Sequence, residues 1–336
     1  MARVVRFHEL GGPEVLRLEE HDLGMPGTGE VLVDVEAIGL NRSEANFRRD
    51  RYLDRVAALP SGLGYEAAGR VRAVGPEVSG LAPGDLVSIL PVFPQSRYPV
   101  YGEQAIVPAD ALVQRPSAVD ATTAAASWMA FLTAYGALVD IARLRPGEAV
   151  VITAASSSVG LAAIHTALRI GAVPVATTND PGKEGRLLQA GAARVVVNGR
   201  DDLAEVVREV TGGTGARLAF DAVAGPSIEE LARVMASDAL ILVHGSLSGR
   251  PTPLPGLDRM LPVCTRPYTL FEVTGDPERF ARAKHYITTG LASGSLAPVI
   301  DRTFHLNDIV AAHRYLEAGA QVGKIVVTVN SQEDPS

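Results

Sequence analysis

Between an apolar strand pattern at 149–154 and an apolar helix pattern at 161–170 stands a short turn of mostly small residues, Ala155-Ser156-Ser157-Ser158-Val159-Gly160. Small residues let a backbone approach a pyrophosphate closely, and the amides that open a helix aim positive dipole ends at it. Gly171-Ala172 then breaks the helix, and a second strand pattern follows at 173–178. The chemistry is that of a dinucleotide-binding turn or, equally, of an ordinary β–turn–α connection. Of the Gly-x-Gly-x-x-Gly frame only Gly160 survives, with Ala155 and Ser157 in the first two glycine places. Serine adds hydroxyls for phosphate but reaches positive φ less readily than glycine.

An NAD-preferring unit ends its second strand with an acid that bonds the ribose 2′-hydroxyl. Here Thr178 holds that place, and Lys183 and Arg186 follow it. The two cations either bind a 2′-phosphate or are solvated helix-surface charges. Asp180 would oppose a phosphate there, yet the balance of charge favours NADP(H) over NAD(H). In an open α/β sheet ligands collect at the carboxyl ends of strands. Gly245-Ser246 closes a strand at 240–244, and Asp221 ends one at 217–221, where it either meets the ligand or caps the next turn.

These residues need a scaffold, and the pattern around them supplies one. From 149 onward strands (173–178, 194–197, 217–221, 240–245) alternate with helices (161–170, 187–190, 203–210, 228–236), which argues a parallel sheet with helices on both faces. Before it, residues 1–120 read as short β segments punctuated by Gly and Pro, among them 31–37, 68–75 and 86–90, a barrel-like antiparallel composition. Ala-rich helical sequence fills 121–142. Helices at 277–291 and 307–318 precede a last strand at 324–329 that rejoins the first domain, and the tail 331–336 reads as disordered.

A net charge of −7 argues against a nucleic-acid backbone or an anionic membrane as partner. The single cysteine, Cys264, excludes an intrachain disulfide and any cysteine-rich zinc site. No apolar run reaches the roughly 20 residues of a membrane span, and the N-terminus reads as a strand rather than a signal peptide. The expectation is a cytoplasmic protein.

Several strings in compatible order resemble the zinc-independent quinone oxidoreductases, the zeta-crystallin-like branch of the medium-chain dehydrogenase/reductase superfamily. They are Gly11 to Leu16, Gly39-Leu40-Asn41-Arg42-Ser43-Glu44, Gly64-Tyr65-Glu66-Ala67-Ala68-Gly69-Arg70-Val71, Leu132 to Tyr135, Arg145 to Glu148, Ala154 to Gly160, Phe220 to Gly225, Ala312 to Glu317 and Gln321 to Val327. The resemblance implies a GroES-like β-barrel catalytic domain (1–124 and 268–336) split around a Rossmann domain with a doubly wound parallel sheet (125–267), in a homodimer. The zinc branch carries Cys and His where Arg42-Ser43-Glu44 and Tyr65 stand here, so no metal is expected.

Without a metal, hydrogen-bond donors must stabilise the charge that develops when hydride reaches the acceptor. By resemblance Asn41 and Tyr52 are the catalytic candidates, against readings as a turn residue and a surface aromatic in a basic loop. Tyr65 is either a third donor or filler for the space of the metal, and Trp128 either walls the substrate pocket or is core. The cofactor set comprises Thr133, Ala155, Ser156, Ser157, Ser158, Val159, Gly160, Thr178, Lys183, Arg186, Asp221, Val223, Gly245, Ser246 and Lys324. The implied activity is NADPH-dependent hydride transfer to a quinone or an activated α,β-unsaturated carbonyl compound. The alternatives are an enoyl-thioester reductase and a non-catalytic NADPH-binding protein that uses the basic stretch 42–55.

Overall fold

In the computed structural model of the chain the described residues are 1–255 and 260–329. They form two compact units: Met1–Met129 with the described residues from Pro298 onward, and Ala130–Ala297. Residues 268–297, expected with the barrel, therefore lie in the second unit. The expected disordered tail falls outside the described residues.

The first unit opens with an antiparallel pair, β1 (Ala2–Phe7) and β2 (Leu16–His21). Its main sheet is built on β3 (Glu30–Gly39), whose near-continuous apolar run buries both faces. Along one edge β3 pairs with β4 (Ala67–Val74), which continues to β5 (Leu86–Ile89). Along the other edge its first half pairs with β6 (Gln104–Pro108). A short β7 (Leu112–Gln114) pairs with β5.

The chain then builds the second unit from β8 (Ala149–Ile152), β9 (Val173–Thr178), β10 (Arg194–Val197), β11 (Ala216–Asp221), β12 (Met235–Val243) and β13 (Val263–Pro267). All pairings are parallel, in the order β10-β9-β8-β11-β12-β13. This is the doubly wound order, and it reverses between β8 and β11, the point where ligands bind in open α/β sheets. The strand β13 arises within a Pro- and Gly-rich stretch whose sequence pattern does not signal it. The expected helix at 228–236 stops at Arg233, because the chain turns at Val234 and Met235 already pairs with Ala216.

After the helix Pro277–Ser293 the chain returns to the first unit. There β14 (Ile300–His305) lies parallel to β15 (Lys324–Thr328), and β15 pairs antiparallel with the second half of β3.

Close approach requires glycine at a position beside each candidate site. A Cβ on Gly39 would lie 2.0 Å from the Ala125 carbonyl oxygen, so only glycine lets β3 run against the helix Ala121–Ala125. A Cβ on Gly160 would lie 2.6 Å from Cα and O of Ala155. That contact holds the helix Ser158–Ile170 against its own preceding turn. Gly160→Ala should therefore destabilise the second unit by about 1–3 kcal/mol. A fall of several degrees in its thermal midpoint checks this. An unchanged midpoint would mean that the turn moves aside freely.

Candidate active site

In the first unit, four polar side chains far apart in sequence meet in the core. Asn41 precedes the helix Arg42–Phe47, Glu44 lies in its first turn, Glu66 precedes β4, and Lys324 opens β15. The main chain brings them together: Leu40 N donates to Ile325 O at 3.0 Å, and Gly39 N to Glu66 O at 3.2 Å. Glu44, Glu66 and Lys324 are at most 1% exposed, and Asn41 is 7% exposed.

The Lys324 ammonium donates to Asn41 Oδ1 at 2.5 Å and pairs with Glu66 Oε1. Asn41 Nδ2 lies within hydrogen-bond distance of Gly39 O (3.2 Å), Glu44 Oε1 (3.2 Å) and Glu66 Oε1 (3.1 Å). Met129 N donates to Glu66 Oε2 at 2.8 Å, and Ser43 Oγ to Glu44 Oε2 at 3.1 Å.

One buried cation thus faces two buried carboxylates. Burial pushes the Glu44 carboxyl up to about 7, with Lys324 and the Asn41 amide opposing and Glu66 reinforcing the shift.

The loop after that helix carries the phenols. The Tyr52 and Tyr65 rings meet edge to face at 6.1 Å, Phe93 lies 6.4 Å from Tyr65, and Tyr98 packs against Phe93. Asp54 accepts from Ser96 N at 3.1 Å and Ser96 Oγ at 3.0 Å, which ties the Tyr52 loop to the Phe93 loop. Burial first, then the charges of Glu44 and Asp54, raise the Tyr52 phenol well above its ordinary value. Burial raises Tyr65 likewise, against a hydrogen bond with Gln95. Both remain protonated donors at neutral pH. Tyr65 is fully enclosed and Tyr52 half-buried, so Tyr52 is the more accessible of the two.

Three of the five arginines in the basic stretch 42–55 are engaged within the unit, while Arg51 and Arg55 are exposed. Arg48 is buried, donates to Gly11 O at 2.6 Å and pairs with Glu317. Arg49 shares that carboxylate, and Arg42 donates to Leu316 O at 3.1 Å.

In the second unit the small-residue turn joins β8 to the helix Ser158–Ile170. Ser157 caps the helix, its hydroxyl oxygen accepting from Gly160 N at 3.0 Å. The Ser158 and Val159 amides precede any intrahelical acceptor, and the half-buried stretch from Ser156 to Val159 opens outward. Ala155 is buried beneath it. The bare Cα of Gly160, the forward-pointing amides and the serine hydroxyls suit a pyrophosphate.

At the end of β9, Asp180 N donates to Thr178 Oγ1 at 3.1 Å, and Asp180 Oδ1 accepts from Gly182 N at 2.8 Å. The Asp180 carboxylate is thus aimed at the turn that presents Lys183, while Arg186 is exposed on the following helix. Asp221 is fully buried and works as a turn cap. Its Oδ1 accepts from Thr153 Oγ1 (2.6 Å) and Val223 N (3.0 Å), and its Oδ2 from Ala224 N (2.9 Å). Gly245 and Ser246 follow β12, where a Cβ on Gly245 would lie 2.6 Å from Ala222 O. Thr133 is buried, and its carbonyl accepts from the Tyr268 hydroxyl at 2.9 Å.

Lys324 lies in the first unit with its ammonium on Glu66 and Asn41. Trp128, read either as pocket wall or as core, is 3% exposed. Glu44 and Glu66 join this buried cluster without being singled out by the sequence reading. The signal was present, since Glu66 sits in an otherwise apolar stretch, Ala67-Ala68-Gly69 following it. Among the described residues no group of three or more His, Cys, Asp or Glu is placed to hold a metal ion.

A doubly wound nucleotide-type unit inserted into an antiparallel one defines a medium-chain dehydrogenase/reductase. Two family models match, "Alcohol dehydrogenase GroES-like domain" over residues 27–118 and "Zinc-binding dehydrogenase" over 190–327. The chain is 32% identical to Quinone oxidoreductase 1 of Escherichia coli (strain K12) over 328 residues, 96% of this chain and 98% of that protein. It is 27% identical to the 2-haloacrylate reductase of a Burkholderia species, over 97% of this chain and 98% of that protein. The structure of E. coli quinone oxidoreductase complexed with NADPH superposes with a TM-score of 0.88 at 29% identity, covering 97% of this chain and 99% of that one. The chain belongs to the quinone oxidoreductase family of that superfamily.

Glu44 makes stability depend on pH. Its carboxyl titrates at the ordinary 4.5 when unfolded and near 7 when folded. The folded state therefore holds the extra proton between those values, and stability is lost as pH rises through them. Glu44→Gln should remove this loss, so the variant's thermal midpoint gains on the parent between pH 5 and pH 8. A difference that does not change with pH would show that Glu44 does not titrate there.

Proposed function

We propose that the protein is a zinc-independent, NADPH-dependent reductase that passes hydride to a quinone or to an activated α,β-unsaturated carbonyl compound. The observation that carries this reading is the open, amide-lined turn of the second unit; the first unit separately supplies a protonated phenol at Tyr52. When bound, NADPH supplies the hydride. Ser156 to Gly160 receive its pyrophosphate, and Lys183 and Arg186 its 2′-phosphate, with Asp180 held back by Gly182 N. Thr133, Thr178, Val223, Gly245 and Ser246 complete the cofactor set.

Quinones and conjugated alkenes share a soft electrophilic carbon joined to an oxygen that becomes negative as hydride arrives. The Tyr52 hydroxyl donates to that oxygen, the role a metal would otherwise play. Asn41 acts one step back. Its amide is held by Lys324, Glu66 and Glu44, so it positions the loop that carries Tyr52. The relative that reduces a 2-haloacrylate supports an alkene acceptor alongside a quinone.

The first measurement is oxidation of NADPH and NADH by the purified, metal-free protein across quinones, enals, enones and enoyl thioesters. NADPH turnover with one class supports the reading, and no turnover with NADPH bound overturns it. Tyr52→Phe should lower turnover about a hundredfold, as for loss of one oxyanion donor, with cofactor affinity unchanged. Unchanged turnover would remove Tyr52 from this role. Lys183→Ala with Arg186→Ala should weaken NADPH binding by about tenfold or more and leave NADH nearly unaffected. Equal losses for both would refute the assignment of the 2′-phosphate site.

A further inference from the structure

The second unit carries an arginine-lined recess that the proposed reaction does not use. Its volume is about 700 Å³, and five arginines line it: Arg143, Arg145, Arg217, Arg279 and Arg282. Only two carboxylates, Asp140 and Glu148, line it with them. Asp140 is committed to Arg279, accepting from its Nε at 2.7 Å, and lies 3.8 Å from Arg282. Glu148 accepts from the Arg145 main-chain N at 2.8 Å. Arg143 and Arg145 are exposed, and no side-chain hydrogen bond or ion pair engages them among the described residues. An excess of positive charge this concentrated stands out in a chain of net charge −7.

The backbone here is unusual. Residues Gly136–Ile141 form a π-helical turn, with Ala142 N bonding Ala137 O at 3.0 Å. Such turns are rare and concentrate at functional sites. Arg143, which follows, holds φ at +49°, a left-handed conformation unfavourable for a long side chain.

A second recess of about 470 Å³ adjoins the first, because Arg282 lines both. It is mainly apolar, bounded by Tyr135, Val139, Ala281, His285 and Tyr286. The Arg169 guanidinium lies 4.0 Å over the Tyr286 ring, and the Tyr135 ring is 5.0 Å away.

The position is distinct from the dinucleotide turn. Arg143 and Arg145 precede β8 and Arg217 lies at the start of β11, so the recess is at the amino ends of the two central strands. The turn is at their carboxyl ends, a strand length or roughly 15 Å away.

We propose that the two adjoining recesses are one binding site for a phosphate ester that carries a flat apolar ring. The phosphates lie among the arginine forks, whose planar donors match oxyanions two at a time. The ring enters the Tyr135–Tyr286 recess. The inference stands independently of the reductase reading.

Calorimetric titration of the full-length protein tests it, with ADP and inorganic pyrophosphate as probes and NADPH in excess to occupy the dinucleotide turn. The parent protein should bind one equivalent of ADP, weakening as salt rises. Arg143→Ala with Arg145→Ala should weaken both probes by about tenfold or more, and Arg145→Glu alone should do so too. Among the described residues neither arginine side chain has a partner to lose, so folding should be preserved. His285→Ala should weaken ADP and leave pyrophosphate unchanged. No ADP binding at millimolar concentration, or binding indifferent to the arginine variants, overturns the site. ADP affinity unmoved by His285→Ala overturns the ring-bearing ligand.

Discussion

The first unit depends on burying Lys324. Its ammonium comes from the last strand, 283 residues after Asn41 and 258 after Glu66. A buried ammonium is tolerable only when paired and hydrogen-bonded. Glu66 is satisfied on both oxygens, by Lys324 and Asn41 on one side and the Met129 amide on the other. Removing a partner from such a cluster leaves an uncompensated charge, at a cost of about 3–5 kcal/mol. The same contacts fix the entry to β4, the exit from β3 and the start of the helix that follows Ser127. The Tyr52 loop follows Asn41 by eleven positions and inherits its place from them.

In the second unit a lone buried carboxylate does comparable work without a cation. Asp221 is satisfied by a hydroxyl and two amides, and Thr153 closes the circuit by accepting from Ala222 N at 2.8 Å. Thr153 follows β8 and Asp221 ends β11, the two strands between which the sheet order reverses. One side chain therefore ties together the loops on both sides of the crevice.

The alternation of strand and helix and the small-residue turn were legible because each is local or periodic. The run from 149 to 178 announces strand, turn, helix and strand within thirty residues, and its smallest residue, Gly160, stands where the backbones touch. The dual reading of Asp221 was also visible, and its position at a strand end admitted the cap that the structure adopts. What could not be read was pairing at long range. Lys324 looks like a solvated strand residue until β15 is laid against β3, where its ammonium meets Asn41 and Glu66. Glu44 looks like an ordinary first-turn acid until that same closure buries it with a second carboxylate. The strand β13 was hidden for another reason. An edge strand in parallel pairing needs only one partner, so its short sequence carries little periodicity.

The two ends of the parallel sheet offer an anion different physics. At the carboxyl ends of the strands the helices begin, and their unpaired amides supply a positive field with no side-chain charge. Such a field is fixed in place and screened little by salt when partly buried. At the amino ends the preceding helices finish, and their carbonyls present the opposite sign. The Gly147 amide meets the Gly171 carbonyl there at 2.8 Å, just after the helix Ser158–Ile170 ends. An anion site at this end has to be built from side-chain cations strong enough to overcome those carbonyls. Arginine meets that demand, since it stays charged in any surroundings and bonds through a rigid fork. Among the described residues two of the arginines have no side-chain partner, more than cancelling a helix end requires. That surplus is what a ligand site needs beyond the neutralisation of a dipole, and the proposed binding at this end should be far more sensitive to salt than binding at the other.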